Sequence, residues 1–209
     1  MDKAKPGSPR QFYLQDSRST VGSCLLFWCP EGAGYTTDID KSALFTEEEA
    51  FAQHSSRPSD IPWPAEYVQQ RLKRVVDVQR LSQAPQPTAL GELFYVHAGR
   101  CYDGNDLMLR TRDGSLSMDL ADAAVYTRSA ADKANGIPYA KAYLQRLARP
   151  VFHGKRQDLK EALGADFERI KRERPASATR FRCHGCGVFM SAVDYYTSPC
   201  KRCSTENRP

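Results

Sequence analysis

The sequence predicts an α+β protein made of two tandem, related small α+β units, a charged helix and a C-terminal four-cysteine module. Three observations predict it. First, the stretch Phe12 to Ala50 is answered by Phe94 to Ala131. Phe12 and Tyr13 match Phe94 and Tyr95, Arg18 matches Arg100, Gly22 matches Gly104, Leu25 matches Leu107 and Gly32 matches Gly114. After a one-residue gap, Asp38 matches Asp119 and Phe45 with Thr46 matches Tyr126 with Thr127. The correspondence continues through Trp63 and Tyr139 to Gln69 and Gln145. Two copies are too few for a solenoid, so the pattern reads as a duplicated small domain. Second, Lys155 to Arg174 is rich in charge and carries Leu159, Leu163, Phe167 and Ile170 at helical spacing. Third, two Cys-x-x-Cys pairs close the chain.

In chain order, residues 1–10 are polar, with two prolines, and read as a mobile arm. The first unit spans 11–81, beginning with strands over Gln11 to Gln15 and Ser23 to Cys29 joined near Gly22. Gly32 to Gly34 turn the chain into a short strand at Tyr35 to Thr37. Thr46 and Glu49 have capping-box spacing, which starts a helix at Glu47. Pro58 and Pro62 break the chain, and Pro64 opens a helix from Ala65 to about Arg74. Residues 82–92 read as a linker. The second unit, 93–153, repeats the plan, with a helix from Tyr139 to Ala148. Thr127 can cap a helix start directly after it, as Thr46 does in the first unit, but Ala130 cannot complete a box. The charged helix takes 154–175, with Gly164 weakening its middle, and the cysteine module takes 180–205.

Charge is unevenly spread. Residues 1–140 hold 15 Lys/Arg against 18 Asp/Glu, and residues 141–209 hold 15 against 7. The basic end points towards an anionic partner, nucleic acid first. No apolar run approaches the ~20 residues that span a bilayer, so no membrane partner is expected. The first ten residues lack the apolar region of a secretory signal, which sets the expectation of a cytoplasmic protein.

The tail places Cys183 and Cys186 two residues apart and, after 13 residues, Cys200 and Cys203 likewise. Such gaps let both thiolates of a pair reach one ion from a tight turn. Four thiolates close a tetrahedral site and leave no open position for a substrate, so one structural Zn2+ is expected. The arrangement resembles the zinc-ribbon class, and the intervening Gly187 to Pro199 has room for two short strands. Arg180, Arg182, Lys201 and Arg202 surround the cysteines, with Tyr195 and Tyr196 between the pairs. Cations suit phosphates and aromatic rings suit bases, so these six residues are the candidate nucleic-acid surface. The competing reading is that they neutralise the thiolates and fill a small core.

No Ser–His–Asp or Cys–His arrangement has local support, and no enzymatic activity is expected. Cys24, Cys29 and Cys101 read as small core residues. Asp38 and Asp119 read as turn or capping acids. Arg18 and Arg100 recur at matched places and read as structural or anion-binding.

Tyr13 to Ser19, with Val21 and Gly22, then Gly34 to Asp38 and Phe45 to Ala50, resemble small uncharacterised proteins carried by bacteriophages and prophages. The resemblance implies a phage-linked accessory protein in the host cytoplasm. The expected function is a non-enzymatic zinc-binding protein that engages nucleic acid or a nucleoprotein complex. The alternatives are a protein-binding inhibitor or adaptor directed at host machinery, such as a defence (anti-CRISPR-like) complex, and a cryptic enzyme in the groove between the two copies.

Overall fold

The structure, a computed structural model, describes residues 9–81, 93–170, 181–190 and 192–207. The described residues up to 170 form one compact body and those from 181 onward a second. The linker 82–92, the stretch 171–180, Arg208 and most of the N-terminal arm lie outside the described residues.

The first body opens on a long strand, β1 (Gln11–Val21), folded back on β2 (Cys24–Trp28). Phe12, Tyr13 and Leu14 are buried in succession, because this part of the strand is covered on both faces. β3 (Tyr35–Thr36) pairs with β2, and β4 (Phe45–Thr46) and β5 (Asp60–Pro64) pair with β1. β5 contains Pro62 and Pro64, which cannot donate to a ladder, and it pairs with β1 alone.

Helix α1 (Glu47–Ser56) starts where the capping box predicts: the Glu49 N–H donates to Thr46 Oγ1 at 3.3 Å, and the Thr46 N–H donates to the Glu49 carboxylate at 2.9 Å. The helix predicted from Ala65 to about Arg74 is shorter. α2 (Ala65–Gln69) gives way to a strand, β6 (Lys73–Val75).

Residues 93–151 run through the same order of elements. They are β7 (Leu93–Asp103), β8 (Asp106–Arg110), β9 (Leu116–Ser117), β10 (Tyr126–Thr127), α3 (Arg128–Lys133), β11 (Ile137–Ala140), α4 (Lys141–Leu147) and β12 (Arg149–Val151). β7 pairs with β8, β10 and β11, as β1 pairs with β2, β4 and β5. Thr127 is expected to cap α3, but its side chain makes no cap hydrogen bond; with Ala130 at the third helical position there is no carboxylate to complete a box. The chain over Tyr139 and Ala140 extends β11, so the helix begins at Lys141.

The two stretches do not build separate cores. β6 and β12 pair antiparallel with each other, and each stretch passes its last strand to the other. The Leu25 N–H donates to the Phe152 carbonyl at 3.1 Å, and the matched Leu107 N–H donates to the Val76 carbonyl at 3.0 Å. Phe152 is fully buried against Trp63 (centroids 5.0 Å apart) and Phe27 (6.4 Å) in the first stretch's core. Val76 is buried with Leu107, Leu109 and Leu144 in the second's. Burying these side chains requires both stretches at once, and they fold as one body.

The β1–β2 and β7–β8 turns meet at the matched glycines. Gly22 (φ +58) and Gly104 (φ +60) face each other so closely that a Cβ on Gly104 would lie 2.7 Å from the Gly22 nitrogen. A left-handed backbone and backbone-to-backbone contact both demand glycine here. Gly104→Ala therefore costs at least about 2 kcal/mol. Gly114→Ala, also left-handed (φ +83) but facing open space, costs less. Urea unfolding of both variants checks this; equal midpoints would contradict it.

The charged helix is interrupted. α5 (Arg156–Leu163) stops at Gly164 (φ +54), and a 3₁₀ segment, Gly164–Arg169, follows. The φ value that only glycine adopts readily ends the α-helix, rather than merely weakening it. Leu159, Leu163 and Ile170, the predicted stripe, are buried against the first stretch's core, and Phe167 packs beside them.

Candidate metal centre and its surface

In the second body, β13 (Phe181–Arg182) pairs with β14 (Phe189–Met190), and a short helix, α6 (Ala192–Thr197), leads to the second cysteine pair. The segment between the pairs thus holds one two-residue strand and a helical turn, where two strands were predicted. The first cysteine pair sits in the β13–β14 turn: the Gly187 N–H donates to the Cys183 carbonyl (2.9 Å), and the Cys183 N–H donates to Val188 (2.9 Å). Gly187 (φ +70) supplies the left-handed residue. A matching turn forms at the second pair, where the Ser204 N–H donates to the Cys200 carbonyl at 2.7 Å.

The two turns bring all four sulfurs within 4.8 Å of one another, close enough to hold one metal ion. Cys183 Sγ lies 3.5 Å from Cys203 Sγ, and Cys186 Sγ lies 3.7 Å from Cys200 Sγ. Cys183 and Cys200 are buried and Cys203 is exposed. Gly185 lies against Thr205, where a side chain would collide.

The electrostatics suit a cation. Burial pushes the Cys183 thiol up, but the N–H groups of Cys186 and Gly185 outweigh it and bring it down to about 6. At Cys186 the Val188 N–H favours the thiolate. The sulfurs of Cys203, Cys200 and Cys183, with burial, outweigh that and leave this thiol at about 11. Crowded sulfurs cannot all ionise without a counter-charge, which a metal ion held between them would supply.

Around the sulfurs, Tyr195 is 9% exposed, stacks on Phe181 (centroids 4.6 Å apart) and shares a 2.7 Å hydrogen bond with His184 Nε2. Asn207 is fully buried and accepts the His184 N–H at 2.8 Å. Of the two tyrosines predicted to contact nucleic acid, Tyr195 is core, because its ring and hydroxyl are both engaged inside the module. Tyr196 is 50% exposed. Phe189 is 53% exposed, and the Arg182 guanidinium carbon lies 4.3 Å from its ring centroid. Arg182, Lys201 and Arg202 are exposed, with Lys201 3.7 Å from Asp194. Arg180 lies outside the described residues.

No protein-family model, curated protein or solved structure matches this chain.

In the first body, Arg18 is committed to neighbours. Its Nε and Nη2 donate to both Asp16 oxygens at 2.8 Å, and Nη2 donates to the Tyr35 hydroxyl at 3.1 Å. The Arg18 hydrogen bond holds the buried Asp16 carboxyl below its ordinary range. The matched Arg100 has Ala98 where Arg18 has Asp16, and it sits at φ 40. The two arginines share no partner among the described residues. Asp119 acts as a turn acid, accepting the Ala121 N–H at 3.1 Å, whereas the Asp38 carboxylate meets Arg80 (3.4 Å) and Lys41 (3.6 Å).

A buried cluster that spacing did not reveal joins the two stretches. Arg149 donates to Asp106 at 2.7 Å, and Cys24 Sγ lies 3.4 Å from both Asp106 and His153 Nε2. Here cysteine stands between the acid and the histidine. Burial and the Asp106 charge push its thiol up to about 12, so it is held as a protonated donor rather than poised as a nucleophile. Cys24 and His153 are 129 residues apart, and neither lies in a motif.

Proposed function

We propose that this protein is a zinc-dependent, non-enzymatic nucleic-acid-binding protein whose C-terminal body is the contact. Zinc suits four thiolates. Bonds of about 2.3 Å to a tetrahedral zinc put sulfurs about 3.8 Å apart, and the observed 3.5 and 3.7 Å pairs approach that spacing. A closed tetrathiolate offers no site for substrate, so the ion's role is to hold a small body rigid.

The observation that carries the function is the pair of half-exposed rings, Phe189 and Tyr196, on a body so small, with Arg182 over one of them. Exposed aromatics with adjacent guanidinium suit stacking on unpaired bases, while Lys201 and Arg202 meet phosphates. The charge asymmetry of the chain supports the same reading.

We read the two stretches of the first body as copies of one ancestral unit, supported by the shared element order and the reciprocal bonds at Leu25 and Leu107. The phage-protein resemblance supplies the cellular setting of this proposal.

Titrating the zinc-loaded full chain against a fluorescein-labelled single-stranded oligonucleotide tests it. Phe189→Ala and Tyr196→Ala each lower affinity by about 1–3 kcal/mol. Arg182, Lys201 and Arg202 alone give a log–log salt slope of about −2. Weak binding, flat in salt and indifferent to Phe189, would refute the proposal.

A further inference from the structure

An open cleft of about 570 Å³ lies between the β2–β3 connection and α1 in the first body. That volume is within the ~300–1,000 Å³ typical of ligand sites. Its walls are apolar: Leu14 forms part of the floor, with Trp28, Phe45 and the 48% exposed Leu44 around it. Its polar lining includes two carboxylates, Glu31 and Glu49.

Glu31 holds a left-handed backbone (φ 55, ψ 24). That conformation is unfavourable for a residue bearing a Cβ. The loop is fixed there by the Ala33 N–H to Pro30 carbonyl bond (3.1 Å) and the Cys29 N–H to Gly34 carbonyl bond (2.9 Å). Strain of this kind is found where loops grip ligands. The matched positions of the second stretch differ just here. Arg110 stands in place of Trp28 and donates to the Asn135 carbonyl (2.6 Å), and Ala130 stands in place of Glu49.

We infer that this cleft docks a segment of another protein in which a large apolar side chain is flanked by lysine or arginine. The apolar side chain enters between Trp28, Leu44 and Phe45, and the cation meets Glu31 and Glu49. Charge complementarity selects this occupant: the ionisable side chains lining the cleft are the carboxylates of Glu31 and Glu49 and the Cys29 thiol, with no lysine, arginine or histidine among them. The inference stands on the first body alone and is independent of the nucleic-acid reading.

The test is selection of a random phage-displayed peptide library on the full chain, followed by fluorescence anisotropy of the enriched peptides. The expected consensus places an aliphatic or aromatic residue beside Lys or Arg. Leu44→Asp and Glu31→Lys, both exposed positions outside the core, each weaken the selected peptide by about 10-fold or more. Cys200→Ser, which disables the metal centre, leaves peptide affinity unchanged. Failure to enrich any sequence, a consensus without basic or apolar residues, or affinity indifferent to both cleft variants overturns the inference. So does a concentration-dependent dimer abolished by Leu44→Asp, which would give the cleft to a second copy of this chain.

Discussion

Chelation strips amide protection from residues 181–207 and leaves residues 9–170 protected. Among the described residues, the buried apolar cluster of the C-terminal body is Cys183, Met190, Tyr195 and Cys200. A core of that size supplies too little burial to offset the ordering of the backbone. A structural metal ion in a small module is worth roughly 10–16 kcal/mol in apparent affinity when it is zinc, so removing an ion held by the four thiolates would unfold this body outright. The first body rests instead on Trp63, Phe12, Phe27, Phe94 and Phe152, all fully buried. Hydrogen exchange read by mass spectrometry separates the two, and Cys200→Ser reproduces the chelated pattern. Equal loss of protection across the chain, or none in 181–207, would contradict this account.

Arg149→Met destabilises the first body by about 3–5 kcal/mol, because it leaves the Asp106 carboxylate buried without its counter-charge, with the weak Cys24 thiol donor beside it. Arg149 is 4% exposed and Asp106 fully buried; Arg149 also donates to Thr37 at 2.6 Å. The variant joins two losses, since Arg149 holds Asp106 of its own stretch and Thr37 of the other. Burial raises the Asp106 pKa above its ordinary 3.8, and Arg149 pulls it back. The sign follows. A carboxyl whose folded pKa is raised binds its proton more tightly when folded, so its ionisation costs stability as pH rises through that range. Without Arg149 the rise is larger. The penalty of Arg149→Met is therefore greatest at neutral pH and shrinks on acidification, as Asp106 takes a proton. Urea unfolding at pH 7 and near pH 4 reads it. A loss below about 1 kcal/mol at pH 7 would mean that the pair is replaceable by water.

Much of this was legible where the signal is local. Cys-x-x-Cys spacing predicts the four sulfurs that the structure brings together. Thr46 and Glu49 predict the start of α1, whose capping box forms as read. What spacing does not carry is exchange between distant segments. Val75 and Arg149 are paired across 74 residues, and no pattern in either strand says which neighbour it will choose. Lys73 and Arg74 fall at the end of the helix that Pro64 opens by sequence, and only the partner strand β12 makes this segment β. Gly164 was visible as a weak point, yet whether it bends or ends a helix depends on the φ that packing imposes. Tyr195 and Tyr196 are adjacent and identical in type. One is core and one exposed because α6 turns them to different sides against Phe181.

Elemental analysis of the purified full chain is the most direct check on the central claim. One zinc per chain, retained through dialysis and absent from Cys183→Ser/Cys200→Ser, is the predicted result. Protein that is folded over residues 181–207 while holding no stoichiometric metal would contradict it.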